Sequence, residues 1–160
     1  MARRSPLIAV CGTSKDEPRA VREAEEVGAL LAEAGAIVVC GGGHGVMAGV
    51  ARGVRARGGI CIGVLPGVDP DAANDDITIA LPTGLGEQRN AVIAQCCRAM
   101  IAIGGGHGTL SEIGFALRLG KPVCGLHTWD VRRSGDDVPD PALHRVDSPA
   151  DAVEWVLAQL

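Results

Sequence analysis

Val39-Cys40-Gly41-Gly42-Gly43-His44-Gly45-Val46-Met47 returns as Ala102-Ile103-Gly104-Gly105-Gly106-His107-Gly108-Thr109-Leu110, one pattern written twice. In each copy an apolar run ends in GGGHG and a stretch with helical periodicity begins. A strand that feeds a helix through a glycine turn is the entrance to a crossover unit, so the repeat points to a parallel sheet flanked by helices. In such open sheets ligands sit beyond the carboxyl ends of the strands, where both turns would lie. Consecutive glycines let main-chain N–H groups approach a ligand with no Cβ in the way. The helix start adds donors without partners and the positive end of a dipole, so the natural guest is an anion, most simply phosphate. A single GGGHG could be a tight structural turn; two at equivalent places favour ligand binding.

Working outward, residues 7–11, 36–40, 60–65, 100–103 and 123–126 are short apolar runs bounded by Gly or Pro. Runs apolar on both faces read as parallel strands covered on both sides. A sixth run, 77–81, alternates better and joins the same sheet. Helices are expected over 18–34, 45–57, 87–98, 109–119 and 150–160. The first follows Ser14-Lys15-Asp16-Glu17, an S-x-x-E start signal, with Pro18 in its first turn and Gly35 as its stop. The fourth turns Leu110, Ile113, Ala116 and Leu117 inward and stops at Gly120. Residues 66–76 and 130–141 read as loops. Alternating strand and helix means right-handed crossovers. The expected fold is α/β: a doubly wound, Rossmann-like parallel sheet in three αβα layers, one domain over residues 1–160.

The composition fits this. Of 160 residues 47% are apolar, enough for a core without staples. Phe115, Trp129 and Trp155 are the aromatic residues, so the core must be Ala, Val, Ile and Leu packed closely with the help of 23 glycines. A net charge of −4 argues against nucleic acid, which needs a basic face. The scarce aromatics also remove the platforms of single-strand binders. Arg3 and Arg4 precede an apolar run, as in a signal peptide, but residues 6–10 are too short for its apolar core. No stretch is long enough to span a bilayer. No membrane partner and a cytoplasmic location are expected. Cys11, Cys40, Cys61, Cys96, Cys97 and Cys124 form no CxxC pair and match no zinc spacing. Four of them fall in or beside strands, as small buried hydrophobes do. The alternative is a metal or redox role through Cys40 with His44; no metal is expected.

The anion site is not a Walker A loop, which needs GK[ST] after its glycines. The dinucleotide pattern is met only loosely by Gly43-His44-Gly45-Val46-Met47-Ala48, and the next strand ends without the acidic residue a ribose would require. His44 and His107, at the same repeat position, either donate to a phosphate or shuttle a proton, or are solvated side chains tolerated in the turn. Thr109-Leu110-Ser111-Glu112 is a capping box, or puts Thr109 on a phosphate oxygen and Glu112 toward a sugar. Arg89, opening the third helix, forks onto a phosphate or carboxylate, or pairs with Glu87 on the surface.

Gly86-Glu87-Gln88-Arg89-Asn90, then Ala99 through Gly104-Gly105-Gly106-His107-Gly108-Thr109-Leu110-Ser111-Glu112, then Gly120-Lys121-Pro122-Val123 resembles the Lonely Guy superfamily. Its members often carry a lysine-decarboxylase label, and the nearest branch is the molybdenum-cofactor-carrier-like group of small Rossmann-type proteins. The resemblance runs from the Cys11-Gly12-Thr13-Ser14 turn through the last strand.

Cytokinin-activating members hydrolyse the N-glycosidic bond of a nucleoside 5′-monophosphate through PGGxGTxxE and an upstream Arg-Lys. By that resemblance Gly105, Gly106, Gly108 and Thr109 hold phosphate, and Arg89 and Glu112 are the catalytic pair. The carboxylate would stabilise an oxocarbenium-like state. Gly104 stands where these hydrolases have Pro, and Asn90 where they have Lys; both departures look like the carrier branch. Few aromatic side chains are available to stack on an adenine.

Lysine decarboxylation would need a lysine to hold pyridoxal phosphate. Lys121 lies between a helix stop and a proline, and Lys15, in the first loop, reads as a solvated or phosphate-facing charge. The candidate ligand contacts are therefore Gly12, Thr13, Ser14, Gly42, Gly43, His44, Gly45, Arg89, Asn90, Gly105, Gly106, His107, Gly108, Thr109 and Glu112. The expected function is a binding or carrier protein for a nucleoside monophosphate or the molybdenum cofactor, with no cofactor required, as a homodimer or higher homo-oligomer like related proteins. A phosphoribohydrolase using Arg89 and Glu112 is the alternative, and a nucleotide sensor with a protein partner is a third.

Overall fold

The computed structural model describes residues 4–160, so Arg3 of the basic start lies outside it. The chain runs β1 (Leu7–Gly12), α1 (Pro18–Glu33), β2 (Ile37–Cys40), α2 (Val46–Ala56), β3 (Cys61–Leu65) and β4 (Ile79–Pro82). It continues through α3 (Arg89–Cys96), β5 (Ala99–Ile103), α4 (His107–Arg118), β6 (Val123–Leu126), β7 (Leu143–Val146) and α5 (Pro149–Ala158). Single 3-10 turns occupy Pro70–Ala72 and Gly86–Gln88. All strand pairs are parallel, in the order β4-β3-β2-β1-β5-β6-β7. This is the expected doubly wound α/β sheet. No helix among the described residues is long and apolar enough to cross a membrane.

Alternation along each strand sorts the core into two layers. Ile8 and Val10 of β1 pack with Val27 and Leu31 of α1, Val50 of α2 and Val156 of α5. Ala9 and Cys11 point the other way, to Ile93 of α3 and Ile113 and Ala116 of α4. The sheet winds outward from β1 through β2 to β4, then restarts at β5 on β1's other side and runs to β7. The reversal lies between β1 and β5, where Cys11 pairs with Ala102 and Gly12 with Ile103. It brings the turn after β1 beside the turn after β5.

Two expectations need correction. The S-x-x-E box does not form: the N-cap of α1 is Glu17, without a side-chain cap bond. Its carboxylate instead accepts from Thr13 Oγ1 at 3.2 Å. The seventh strand, Leu143–Val146, fell outside the expected six because its LHRV is apolar only at its ends. At a sheet edge two buried side chains, Leu143 and Val146, suffice.

The closest helix contact is α1 on α2. A Cβ on Gly53 would overlap the Glu25 carbonyl, and one on Gly49 would press the Val21 carbonyl. These backbones approach because side chains are missing, and the exposed pairs Arg52–Glu25 (3.0 Å) and Arg57–Glu33 (2.7 Å) add little. Gly114 on α4 has open space around it. Gly53→Ala is therefore expected to destabilise by about 1–3 kcal/mol, as overpacking does. Gly114→Ala should stabilise by about 0.5–1 kcal/mol through helix propensity. Opposite shifts in urea midpoint check both.

Candidate functional site

At the β1/β5 reversal lies a crevice of about 350 Å³. Gly12, Thr13, Ser14 and Lys15 form one wall; Gly106, His107, Gly108 and Thr109 at the head of α4 form the other. Glu87, Arg89 and Asn90 close the α3 side, Gly41 and Met47 the α2 side, and Cys11 and Glu112 lie within.

The two glycine turns have the same sequence and different surroundings. The head of α2 is occupied by protein: Val46 N–H donates to the Thr13 carbonyl at 2.9 Å, and a Cβ on Gly45 would overlap that carbonyl. Gly42 and Gly43 donate to the sulfurs of Cys40 and Met47, each at 3.4 Å, and the Asn74 amide donates to both of their carbonyls. Gly42, with φ +75°, has no room for a Cβ against Leu65. This copy locks the β2 turn onto the β1 turn and the 66–76 loop.

The second copy is open. Among the described residues, the amides of Gly105, Gly106, His107, Gly108 and Thr109 have no protein acceptor. Gly106 is the N-cap of α4 without a cap bond, so the Thr109/Glu112 box is not made and both side chains are free for other work. Gly105, at φ +100°, leaves space that the Thr109 hydroxyl fills from behind.

The structure thus gathers Gly12, Thr13, Ser14, Arg89 and Asn90 with Gly106, His107, Gly108, Thr109 and Glu112 around one space. Gly42, Gly43, His44 and Gly45 lie off its lining, and Gly105 stands behind it. His44 is exposed, while Cys40 is buried with its sulfur 4.0 Å from that of Cys61. Cys11, Gly41, Met47 and Glu87 are lining residues that sequence reasoning missed. Gly41 is the first glycine of the first GGGHG copy and Glu87 belongs to the Gly86–Asn90 stretch, so both stood within quoted motifs; Cys11, one residue before the end of β1, and Met47 of α2 read only as apolar positions.

Arg89 does not pair with Glu87. Its Nη1 donates to the Val64 carbonyl at 2.9 Å, and the guanidinium fits over Gly41, where a Cβ would collide with it. Its Nε is buried with no partner among the described residues. Asn90, 4% exposed, donates to Ser111 Oγ at 3.0 Å and ties α3 to the first turn of α4. Glu112 is 7% exposed. Burial drives its carboxyl up to about 7; Arg89 and the Cys11 thiol pull it down, and Glu87 adds a small push upward. Burial and Glu112 together raise the Cys11 thiol. A carboxyl poised near neutrality inside a cleft, facing a guanidinium, is equipped to hold or move a proton.

Fold and site together define a Rossmann-like protein with one crevice at its topological switch point. The chain belongs to the SLOG cluster4 family, whose profile matches residues 5–153. It is 40% identical over 119 residues to an uncharacterised protein of Archaeoglobus fulgidus, covering 74% of this chain and 78% of that one. It is 32% identical over 128 residues to a Mycobacterium tuberculosis cytokinin riboside 5′-monophosphate phosphoribohydrolase, covering 74% and 68%. The molybdenum cofactor binding protein of Rippkaea orientalis superposes with a TM-score of 0.86 at 29% identity, over 98% of both chains. The resemblance to the Lonely Guy superfamily, on its molybdenum-cofactor-carrier side, holds.

Glu112 makes stability depend on pH. Well below pH 4.5 the carboxyl is protonated in folded and unfolded chains alike, and no titration-linked penalty applies. As pH rises from 4.5 toward 7 the unfolded chain ionises first and the folded state loses ground. Above 7 the full penalty stands, about 3 kcal/mol at ~1.4 kcal/mol per pH unit. Glu112→Gln is expected to match the parent at pH 4 and exceed it by about that amount at pH 8. Urea melts at both pH values check this; parallel pH profiles would contradict the assigned titration.

Proposed function

We propose that this chain binds a phosphorylated, nucleotide-like small molecule, a nucleoside monophosphate or a molybdopterin-type cofactor, and serves as a binding or carrier protein. The observation that carries the reading is the run of five acceptor-free amides from Gly105 to Thr109, opening α4 onto a crevice that also holds Arg89. Phosphate on a helix N-terminus satisfies those donors and meets the positive end of the dipole. The unpartnered Nε of Arg89 supports an oxyanion nearby. Glu112, when ionised, accepts from ligand hydroxyls and, when protonated, donates. The M. tuberculosis and R. orientalis names are consistent with ligands of this class.

Hydrolysis of an N-glycosidic bond is the second reading, favoured by Glu112 and Arg89 sharing one crevice. Two observations weigh against it. Gly104 has φ +54°, which proline cannot adopt, so the turn leaves β5 differently from a PGGxGT turn. Asn90, where the hydrolases carry Lys, has its amide committed to Ser111. We further propose a cytoplasmic homodimer; the exposed neighbours Phe115 of α4 and Leu119 at its C-cap support an apolar contact.

Calorimetry with adenosine monophosphate should give saturable binding, weakened by about 10–100-fold in Arg89→Ala, the range for a lost charged hydrogen bond. No free base should appear on prolonged incubation with adenosine monophosphate or its N6-modified analogues. Base release that disappears in Glu112→Ala would replace the carrier reading with the hydrolase one.

A further inference from the structure

Thr128 and Trp129 lie in the turn after β6, outside the crevice lining, yet both hold the open glycine turn by its carbonyls. Thr128 Oγ1 donates to the Gly104 carbonyl, and Trp129 Nε1 donates to the Gly106 carbonyl at 3.0 Å. Gly104 N–H is in turn spent on the Leu126 carbonyl at 3.1 Å. The Trp129 ring also supports the His107 imidazole, with centroids 5.5 Å apart and planes 35° apart. We propose that Thr128 and Trp129 form a latch that presets the β5–α4 turn for the phosphoryl end of the ligand; both are positioning residues. The inference rests on the reading that this crevice takes a phosphorylated molecule.

In a trans peptide the carbonyl and the following N–H point in opposite directions. Fixing the Gly104 carbonyl on Thr128 therefore aims the Gly105 N–H away from β6; the Gly106 carbonyl, which accepts the first α4 hydrogen bond from Leu110 N–H at 3.0 Å, is held a second time by Trp129, so the His107 N–H is kept pointing out of the helix head. Three successive glycines have the widest choice of backbone conformations of any tripeptide, and Gly104 and Gly105 sit at φ +54° and +100°. Without these side-chain bonds the turn keeps more freedom for the ligand to remove, which lowers affinity. The latch orders it beforehand. The first copy has no need of one, since protein atoms already fill its helix head.

The test uses the full chain with Thr128→Val and Trp129→Phe. Thr128→Val keeps the side-chain shape and loses the donor; Trp129→Phe keeps an aromatic ring but loses the donor and part of the ring, so Thr128→Val stands alone if Trp129→Phe does not fold. Calorimetry compares adenosine monophosphate with adenosine, and hydrogen exchange follows the amides of residues 104–109 and of β1 and β5. Each variant is expected to weaken the monophosphate by about five- to tenfold, the worth of an ordinary hydrogen bond, and to leave adenosine unchanged. Exchange should quicken in the turn and stay constant in the strands.

A monophosphate-to-adenosine ratio equal to the parent's, whether both affinities fall together or neither does, would overturn the latch and leave the site reading standing. Failure of the unmodified protein to bind the monophosphate would overturn the site reading and the latch with it.

Discussion

Gly12, at the end of β1, lies so close to the Ile103 carbonyl and the Val46 side chain that a Cβ there would overlap both. That approach draws three things to one point: the end of β1, the end of β5 and the head of α2. Because β1 and β5 diverge from here into opposite halves of the sheet, their turns part and leave a gap rather than a packed seam. The crevice is this gap. Its walls are the turn after β1 and the turn after β5, and its floor is whatever the strand pattern directs to the α3–α4 side, namely Cys11 and, from α4, Glu112.

The two GGGHG turns show how position in the sheet assigns different work to one sequence. The turn after β2 sits one strand away from the reversal, within reach of the turn after β1. The Thr13 carbonyl enters its helix head, and Asn74 covers it from the 66–76 loop. The turn after β5 borders the reversal itself, and no neighbouring segment among the described residues accepts from its amides. There the glycine amides stay open, while the carbonyls on their other side are held from the β6 turn.

An energetic tension accompanies this arrangement. A carboxyl buried beside a thiol and short of hydrogen-bond partners costs stability, and the guanidinium of Arg89 offsets only part of the cost because it is itself anchored to the Val64 carbonyl. A position with a purely structural task would be better served by an apolar or amide side chain. Retaining a carboxyl there, near its own titration midpoint, is the kind of local inconsistency that accompanies ligand handling. The same inconsistency suits either holding a ligand or cleaving it.

Much was legible in the sequence. The strand runs and glycine stops fixed six strands and five helices, because buried parallel strands are apolar on both faces and glycine ends helices in a way no neighbour can disguise. Arg89, Thr109 and Glu112 could be singled out because each stands at a set distance from a turn. Tertiary structure decided the rest. It decided which glycine turn is open, since a helix head is filled or vacant according to what another strand brings to it. It freed Thr109 and Glu112 from a local cap, took Arg89 from Glu87 to a carbonyl on β3, and recruited Trp129 from a distant turn. These choices depend on contacts between residues far apart in the chain, and local pattern carries no information about them.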